Sequence, residues 1–165
     1  MNFRLEQMNE THWRRVRAIY LEGIATGQAT FETEAPRSWA AWDAAHLAHS
    51  RLVALSGETV AGWAALGAVS SRRVYAGVAE VSVYIGEDYR GRGLGRLLLA
   101  SLVAASEQNG IWTLQAGVLT ENHASIALHR SCGFREVGRR ERIGRLRGVW
   151  RDTLLLERRS KVVGV

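Results

Sequence analysis

Proline and cysteine are nearly absent: the 165 residues hold one of each, Pro36 and Cys132. A lone cysteine excludes an internal disulfide and offers no Cys/His spacing for a metal, so Cys132 reads as a small packing residue near a helix end. No Pro-rich linker, repeat or low-complexity run divides the chain, and the expectation is one domain over residues 1–165. Also missing is any stretch approaching the ~20 apolar residues of a membrane span. Met1 to Glu10 carries Arg4, Glu6 and Glu10 where a secretory leader needs an apolar core. A cytoplasmic protein with no membrane contact is the default.

Acids are the scarcer charge, 16 against 22 basic residues, for a net charge of +6. The excess is uneven: Arg130 to Lys161 holds eleven Arg or Lys against Glu136, Glu141, Asp152 and Glu157. Such a patch can bind nucleic acid. Here the arginines alternate with apolar residues from Arg142 to Trp150 and no nucleic-acid motif accompanies them, so a solvated basic face, part of it attracting phosphates, is the reading. Apolar residues make up 47% of the chain, enough for a packed core.

Periodicity supplies the elements. Phe3, Leu5 and Met8 alternate as a first strand would. Asn9 or Thr11 caps a helix with Trp13, Val16, Ile19, Tyr20 and Ile24 at three- and four-residue steps, ending by Gly23 or Gly27. A loop with Thr30, Phe31 and Glu32 leads to Pro36, expected in the first turn of a short helix bearing Trp39, Trp42 and His46. Leu52–Leu55 and Val60–Leu66 read as a hairpin and Glu80–Ile85 as the next strand. The strongest helix follows, with Leu94, Leu97, Leu98, Leu102 and Ala105 as its stripe and Gly110 as its stop. Ile111–Val118, a helix over Asn122–Cys132, and strands over Phe134–Val137 and Val149–Leu156 complete an α+β fold: a mixed, mainly antiparallel sheet with helices on both faces.

The most informative segment is Arg90-Gly91-Arg92-Gly93-Leu94-Gly95-Arg96, between that strand and the strongest helix. Closely spaced glycines admit a ligand to the backbone, and the amides of a helix N-terminus point unpaired at an anion, as a pyrophosphate requires. A phosphate-binding NTPase loop needs Gly-Lys-Ser/Thr, which Gly95-Arg96-Leu97 is not. A dinucleotide loop needs an acid about 20 residues on at a strand end, where Glu107 falls on the helix and Glu121 comes too late.

Arg90, Gly93 and Gly95 match Gln/Arg-x-x-Gly-x-Gly/Ala, the acyl-CoA loop of the GCN5-related N-acetyltransferases. Ala127-Leu128-His129-Arg130-Ser131-Cys132-Gly133-Phe134 resembles that family's Leu-Tyr-x-x-x-Gly-Phe ending. Ala29-Thr30-Phe31-Glu32, Glu80–Ile85, Leu128-His129 and Gly148-Val149-Trp150-Arg151-Asp152 are similar to its phosphinothricin and methionine sulfoximine/sulfone branch. The resemblance covers almost the whole chain.

The resemblance implies acetyl-CoA as co-substrate, no metal, and direct acetyl transfer to the α-amine of a small amino acid or analogue. It implies that the strand before the loop bulges and splays from the next, leaving Val83, Tyr84 and Ile85 to meet the thioester and pantetheine. Arg90 to Arg96 would hold the pyrophosphate and Asn122 the pantetheine arm, with Ser125 and Ser131 also on the cofactor; Asn122 can also cap its helix. Glu80, Ser82 and Tyr84 share one strand face. A carboxylate in a central strand needs a reason, and Glu80 is the candidate base, with an ion pair to Arg73 as the alternative. His129 stands where many members carry a tyrosine that reprotonates the thiolate, and an imidazole can act there as acid or base. His12, His46, His49 and His123 read as surface or capping residues.

The resemblance places Phe31, Glu32, Arg72, Arg73, Val74, Tyr75 and Ser82 at the acceptor, Arg72 gripping its carboxylate. The branch's Lys-x-Gly-x-Trp-x-Asp has Leu146 at the lysine, with Arg145 or Arg147 as substitute charge. A homodimer is implied. The alternatives are a transferase for another amine, such as a protein N-terminus, polyamine or aminoglycoside, or a non-catalytic CoA or nucleic-acid binding module.

Overall fold

The computed structural model describes residues 2–165. Seven strands form one sheet: β1 (Arg4–Gln7), β2 (Leu52–Ser56), β3 (Thr59–Ala68), β4 (Val78–Ile85), β5 (Thr113–Leu119), β6 (Arg135–Leu146) and β7 (Val149–Arg159). Their order is β1-β2-β3-β4-β5-β7-β6, antiparallel except where β4 meets β5. Four helices cover it: α1 (Trp13–Ala25), α2 (Trp39–Ala44), α3 (Leu94–Gln108) and α4 (His123–Ser131).

Strand alternation sorts the side chains into two cores. Ala64, Leu66 and Val81 face α3, whose Leu94, Leu98, Leu99, Leu102 and Val103 are buried. Val53, Trp63 and Ala65 face α1 and α2, meeting Val16, Ile19 and Trp42. Burying each of the valine, leucine and isoleucine side chains among these contributes about 1.5–3 kcal/mol. The α3 stripe differs from expectation: Leu97 is exposed and Ala105 half-buried, while Leu99, Val103 and Ser106 turn inward. The buried line runs Leu94-Leu98-Leu102-Ser106 at four-residue steps, which rotates Leu97 to solvent. Ser106 satisfies its hydroxyl by donating to the Val103 carbonyl at 2.7 Å.

Pro36 lies before α2 rather than in its first turn; Ser38 is the cap, its Oγ accepting from Ala41 N–H at 3.1 Å. β6 runs through Leu146, well beyond the expected Val137. It is an edge strand exposed on both faces, interrupted by two register shifts, so no hydrophobic alternation announces it. Arg147 and Gly148, with φ of 50° and 83°, close the hairpin to β7, as a two-residue turn with positive φ at both positions does. The basic C-terminal segment is partly neutralised: Arg130, Arg135, Arg139, Arg151 and Arg158 pair with Glu136, Glu157, Asp152, Glu121 and Glu107. No helix among the described residues is long and apolar enough to cross a membrane.

Candidate active site in the gap between β4 and β5

β4 and β5 are paired only over Val78↔Thr113, Ala79↔Leu114 and Glu80↔Gln115. Beyond Glu80, β4 stays in register with β3 as far as Gly62↔Ile85, and β5 stays with β7 as far as Leu119↔Thr153. Each strand follows its antiparallel partner, so the two diverge and leave a cleft of about 1200 Å³. The expected splay is present. The expected bulge is not, for the β3–β4 register is continuous from Ala68↔Ala79 to Gly62↔Ile85.

Backbone orientation at this gap follows from one bond. Gly86 N–H donates to the Ala61 carbonyl at 2.8 Å, and in an antiparallel ladder that orientation recurs every second residue. Tyr84 and Ser82 therefore turn their backbone groups to β3, whereas Val81, Val83 and Ile85 turn theirs to the gap. The Ile85 carbonyl does so visibly, accepting from Arg90 Nε at 3.3 Å.

The glycine loop closes one end of the cleft. After a 3₁₀ turn at Glu87–Tyr89, Gly91 and Gly93 adopt φ of 73° and 79°, a region that side chains penalise. Gly93 is the N-cap of the 15-residue α3 and no side chain caps it. The first helical bond runs from Leu97 N–H to Gly93 O, so the amides of Leu94, Gly95 and Arg96 have no intrahelical partner. Gly95 has a different reason for being glycine: an added Cβ would stand 3.2 Å from Leu128, so it lets α4 approach α3. Arg90, Gly91, Gly93, Leu94, Gly95 and Arg96 line the cleft, while Arg92 is exposed beside it.

Glu80 is the last β4 residue paired with β5, and it lines the cleft with Ser82 and Tyr84. It is exposed, so the expected desolvation cost does not arise. Its recorded partner is Gln115 rather than Arg73, with Nε2 donating to Oε2 at 3.3 Å.

His129 is 5% exposed on α4 and lines the same cleft, its ring edge-on to Phe134. Nδ1 lies 2.7 Å from the Ser125 carbonyl, which only accepts, so Nδ1 carries the proton and Nε2 keeps its lone pair. Burial lowers its pKa, opposed by the Ser125 carbonyl. The neutral ring is thus set up to accept a proton. Burial also lowers His46. Both histidines are neutral in the fold at a pH where the unfolded chain, with values near 6.5, takes up protons. Stability is therefore full above pH 6.5 and lost as the pH falls below it. The thermal midpoint is expected to drop on acidification from pH 7.5 to 5.5, above the carboxylate range; a flat profile would contradict these burials.

Asn122 caps α4, Oδ1 accepting from Ser125 N–H at 3.2 Å, while Nδ2 donates to the Gln28 carbonyl at 3.1 Å. Asn122 and Ser125 line the cleft; Ser131 does not, its exposed hydroxyl donating to the Leu128 carbonyl at 2.7 Å. On the α1 side the wall comprises Tyr20, Thr30, Phe31, Glu32, Trp63 and Tyr84. Trp63 stacks on Tyr84 at 4.9 Å, and Tyr20 meets Tyr84 edge-on at 4.9 Å. Burial raises the Tyr84 phenol strongly, leaving it a neutral donor. Arg72, Arg73, Val74 and Tyr75 are exposed ahead of β4 and outside the cleft lining, Arg72 over the Tyr75 ring at 5.4 Å. Leu146 is buried, and neither Arg145 nor Arg147 lines the cleft.

Sequence reading missed Trp42, Trp63 and His46 as wall residues. His46 is no surface residue: it stacks on Trp42 at 3.9 Å. The available signal was the alternation that puts Trp63 opposite Tyr84. His12 does cap, accepting from Asn9 N–H at 3.1 Å. No metal-binding group of three or more His, Cys, Asp or Glu occurs among the described residues.

Unpaired helix amides and gap-facing strand amides suit a cofactor with a pyrophosphate head and an amide-bearing arm. Comparison with known proteins agrees. The profile of the acetyltransferase (GNAT) family matches residues 8–134. The chain is 33% identical to the L-methionine sulfoximine/L-methionine sulfone acetyltransferase of Pseudomonas aeruginosa, over 81% of this chain and 73% of that one. It is 37% identical to a phosphinothricin N-acetyltransferase of Alcaligenes faecalis, over 87% and 75% of the two. The crystal structure of a GNAT superfamily phosphinothricin acetyltransferase from Sinorhizobium meliloti with acetyl-CoA superposes with a TM-score of 0.89 at 28% identity, covering 99% of this chain and 91% of that one. The chain belongs to the GNAT family and is an acetyl-CoA-dependent N-acetyltransferase.

Proposed function

We propose that the enzyme, acting as one domain, acetylates the α-amine of a small amino acid or analogue of the phosphinothricin, methionine sulfoximine or methionine sulfone kind, by direct transfer in the β4–β5 gap. One observation carries the reading: the α3 amides, the gap-facing amides of Val83 and Ile85, Glu80 and His129 all open on one cleft. Support for the acceptor comes from what the Pseudomonas and Alcaligenes relatives are named for.

Bound acetyl-CoA supplies an activated thioester. Leu94, Gly95 and Arg96 donate their amides to its phosphates, with the α3 dipole and the Arg90 and Arg96 charges behind them. Val83 and Ile85 N–H groups are placed to stabilise negative charge on a carbonyl oxygen in the gap. Glu80, open to solvent, takes the ammonium proton, through a water where the amine is not in contact. His129 Nε2 is a second proton acceptor, and once charged it can return that proton to the leaving thiolate.

Holding the acceptor carboxylate is the task proposed for Arg72, which lies outside the cleft lining and would swing in from the loop that precedes β4 when the acceptor binds. Arg72→Ala is expected to raise KM for an amino acid about tenfold or more, as loss of a charge-assisted contact does, and to leave an amine lacking the carboxylate unaffected. An equal loss with both would remove Arg72 from this role. The enzyme is further proposed to be a homodimer, which sedimentation at twice the chain mass checks.

A second reading has its own observation. Glu32, Glu34 and Glu80 line the cleft, whose only lysine or arginine residues are Arg90 and Arg96 of the glycine loop. That charge favours an acceptor with a second cationic group. Release of free CoA across phosphinothricin, methionine sulfoximine, methionine sulfone, common amino acids and polyamines separates the two. Saturable release with the first three supports the proposal; release with polyamines alone replaces it.

A further inference from the structure

The loop between α1 and α2 puts Gln28, Thr30, Phe31 and Glu32 on the cleft wall without pairing into any strand or helix. Side chains tie it to the fold. Arg17 Nε donates to the Pro36 carbonyl at 3.0 Å near its far end, and the Phe31 ring lies against Gly144 of β6. Near its start, a single guanidinium does most of the work. Arg151 Nη1 donates to the Gly27 carbonyl at 3.1 Å, and Nη2 donates to Gln28 Oε1 at 2.6 Å and to Glu121 Oε2 at 3.0 Å.

Arg151 is well placed to act as an anchor. It stands on β7, which is paired with both β5 and β6, and its side chain is 15% exposed. Glu121 adjoins the N-cap of α4, and the hydrogen bond from Arg151 is the leading cause of its lowered pKa. Asn122 reaches the same turn from the other side through the Gln28 carbonyl. A planar fork can satisfy three acceptors at once, which an ammonium on a flexible stem does not do with the same rigidity. Arg151 itself lies outside the cleft, in a separate dimple that shares only Gln28 with it.

We infer that Arg151 is a positioning residue: it fixes the Gly27–Glu32 segment against β7 and α4, so that the acceptor half of the cleft is formed before the amine arrives. This rests on the proposed acceptor site and adds what holds that site in shape. The cofactor half, built on α3 and β4, shares no residue with this contact.

Two measurements on Arg151→Met test it, neither requiring the acceptor to be the proposed one. Glutamyl endopeptidase cleavage after Glu32 or Glu34 is expected to accelerate about fivefold or more with the thermal midpoint nearly unchanged, since local opening governs such cleavage. With whichever acceptor the CoA-release panel identifies, its KM is expected to rise about tenfold while kcat and the KM for acetyl-CoA change by less than about twofold. Arg151→Lys should fall between the two proteins, and Glu121→Gln, which keeps both loop bonds, should resemble the parent. Unchanged cleavage, equal losses for both substrates, or a Glu121→Gln enzyme as impaired as Arg151→Met would overturn the inference. If Arg151→Met does not fold, the lysine variant carries the same comparison. Failure of the panel with every amine, with cleavage still accelerated, would count against the acceptor reading and leave the anchor standing.

Discussion

Glu80→Gln is expected to lower turnover by about a hundredfold or more, within the range removed with a general base, and to leave the affinity for acetyl-CoA within about twofold. Glutamine keeps the shape and the ability to accept from Gln115 Nε2, so the β4–β5 pairing at Glu80↔Gln115 is preserved and basicity alone is lost. Glu80 stands at the point where the two strands part, the one position on β4 that is both held by β5 and open to the gap. Its exposure suits a base that works through water. Raising the pH should restore part of the lost rate, because a larger fraction of the amine is then already neutral. Turnover unchanged at every pH would remove Glu80 from the mechanism.

Trp63→Ala should produce the largest loss of stability, about 3–5 kcal/mol, as truncation of a buried tryptophan does. Trp63 is 2% exposed at the centre of the sheet, between Val53 and Tyr84 in the ladder, stacked on Tyr84 and edge-on to Trp42 at 5.7 Å. Against a total of about 5–15 kcal/mol, the variant forfeits about a fifth or more of what holds the fold. A fall in the urea midpoint at unchanged slope reads the loss. Because Trp63 also walls the cleft, acceptor affinity should fall in Trp63→Phe, which retains most of the packing, while the acetyl-CoA half stays intact. A loss below about 1 kcal/mol for alanine would show that Tyr20 and Trp42 collapse into the space, contrary to close packing.

Local chemistry was legible in the sequence. Alternation put Glu80, Ser82 and Tyr84 on one face, and the glycines with the apolar run after them marked the loop and the head of α3. Asn122 reads as a cap and is one. The parts that escaped depend on how strands follow their neighbours. Alternation alone puts the Glu80 carboxylate in a closed sheet, but β5 leaves β4 to stay with β7, and the carboxylate meets solvent. Arg72 and Tyr75 resemble acceptor positions, yet both are exposed at a short 3₁₀ turn outside the cleft lining. The length of β6 was invisible because an exposed edge strand needs no apolar period. The burial of His46 is not legible in the sequence because Trp42, four residues earlier, stacks against it. Gly95 reads as an anion contact, and its surroundings add a close helix approach by Leu128 that the sequence does not announce.

Acetyl-CoA is expected to lie across the head of α3 with its thioester in the β4–β5 gap. Backbone amide resonances, followed by NMR as acetyl-CoA is added, test this most directly. Saturable shifts and slowed exchange are expected at Val83, Ile85 and Gly93 to Arg96, with β6 and the Arg72–Tyr75 turn unmoved. Saturable binding that leaves Val83, Ile85 and the α3 amides unchanged, while shifting residues elsewhere, would contradict it.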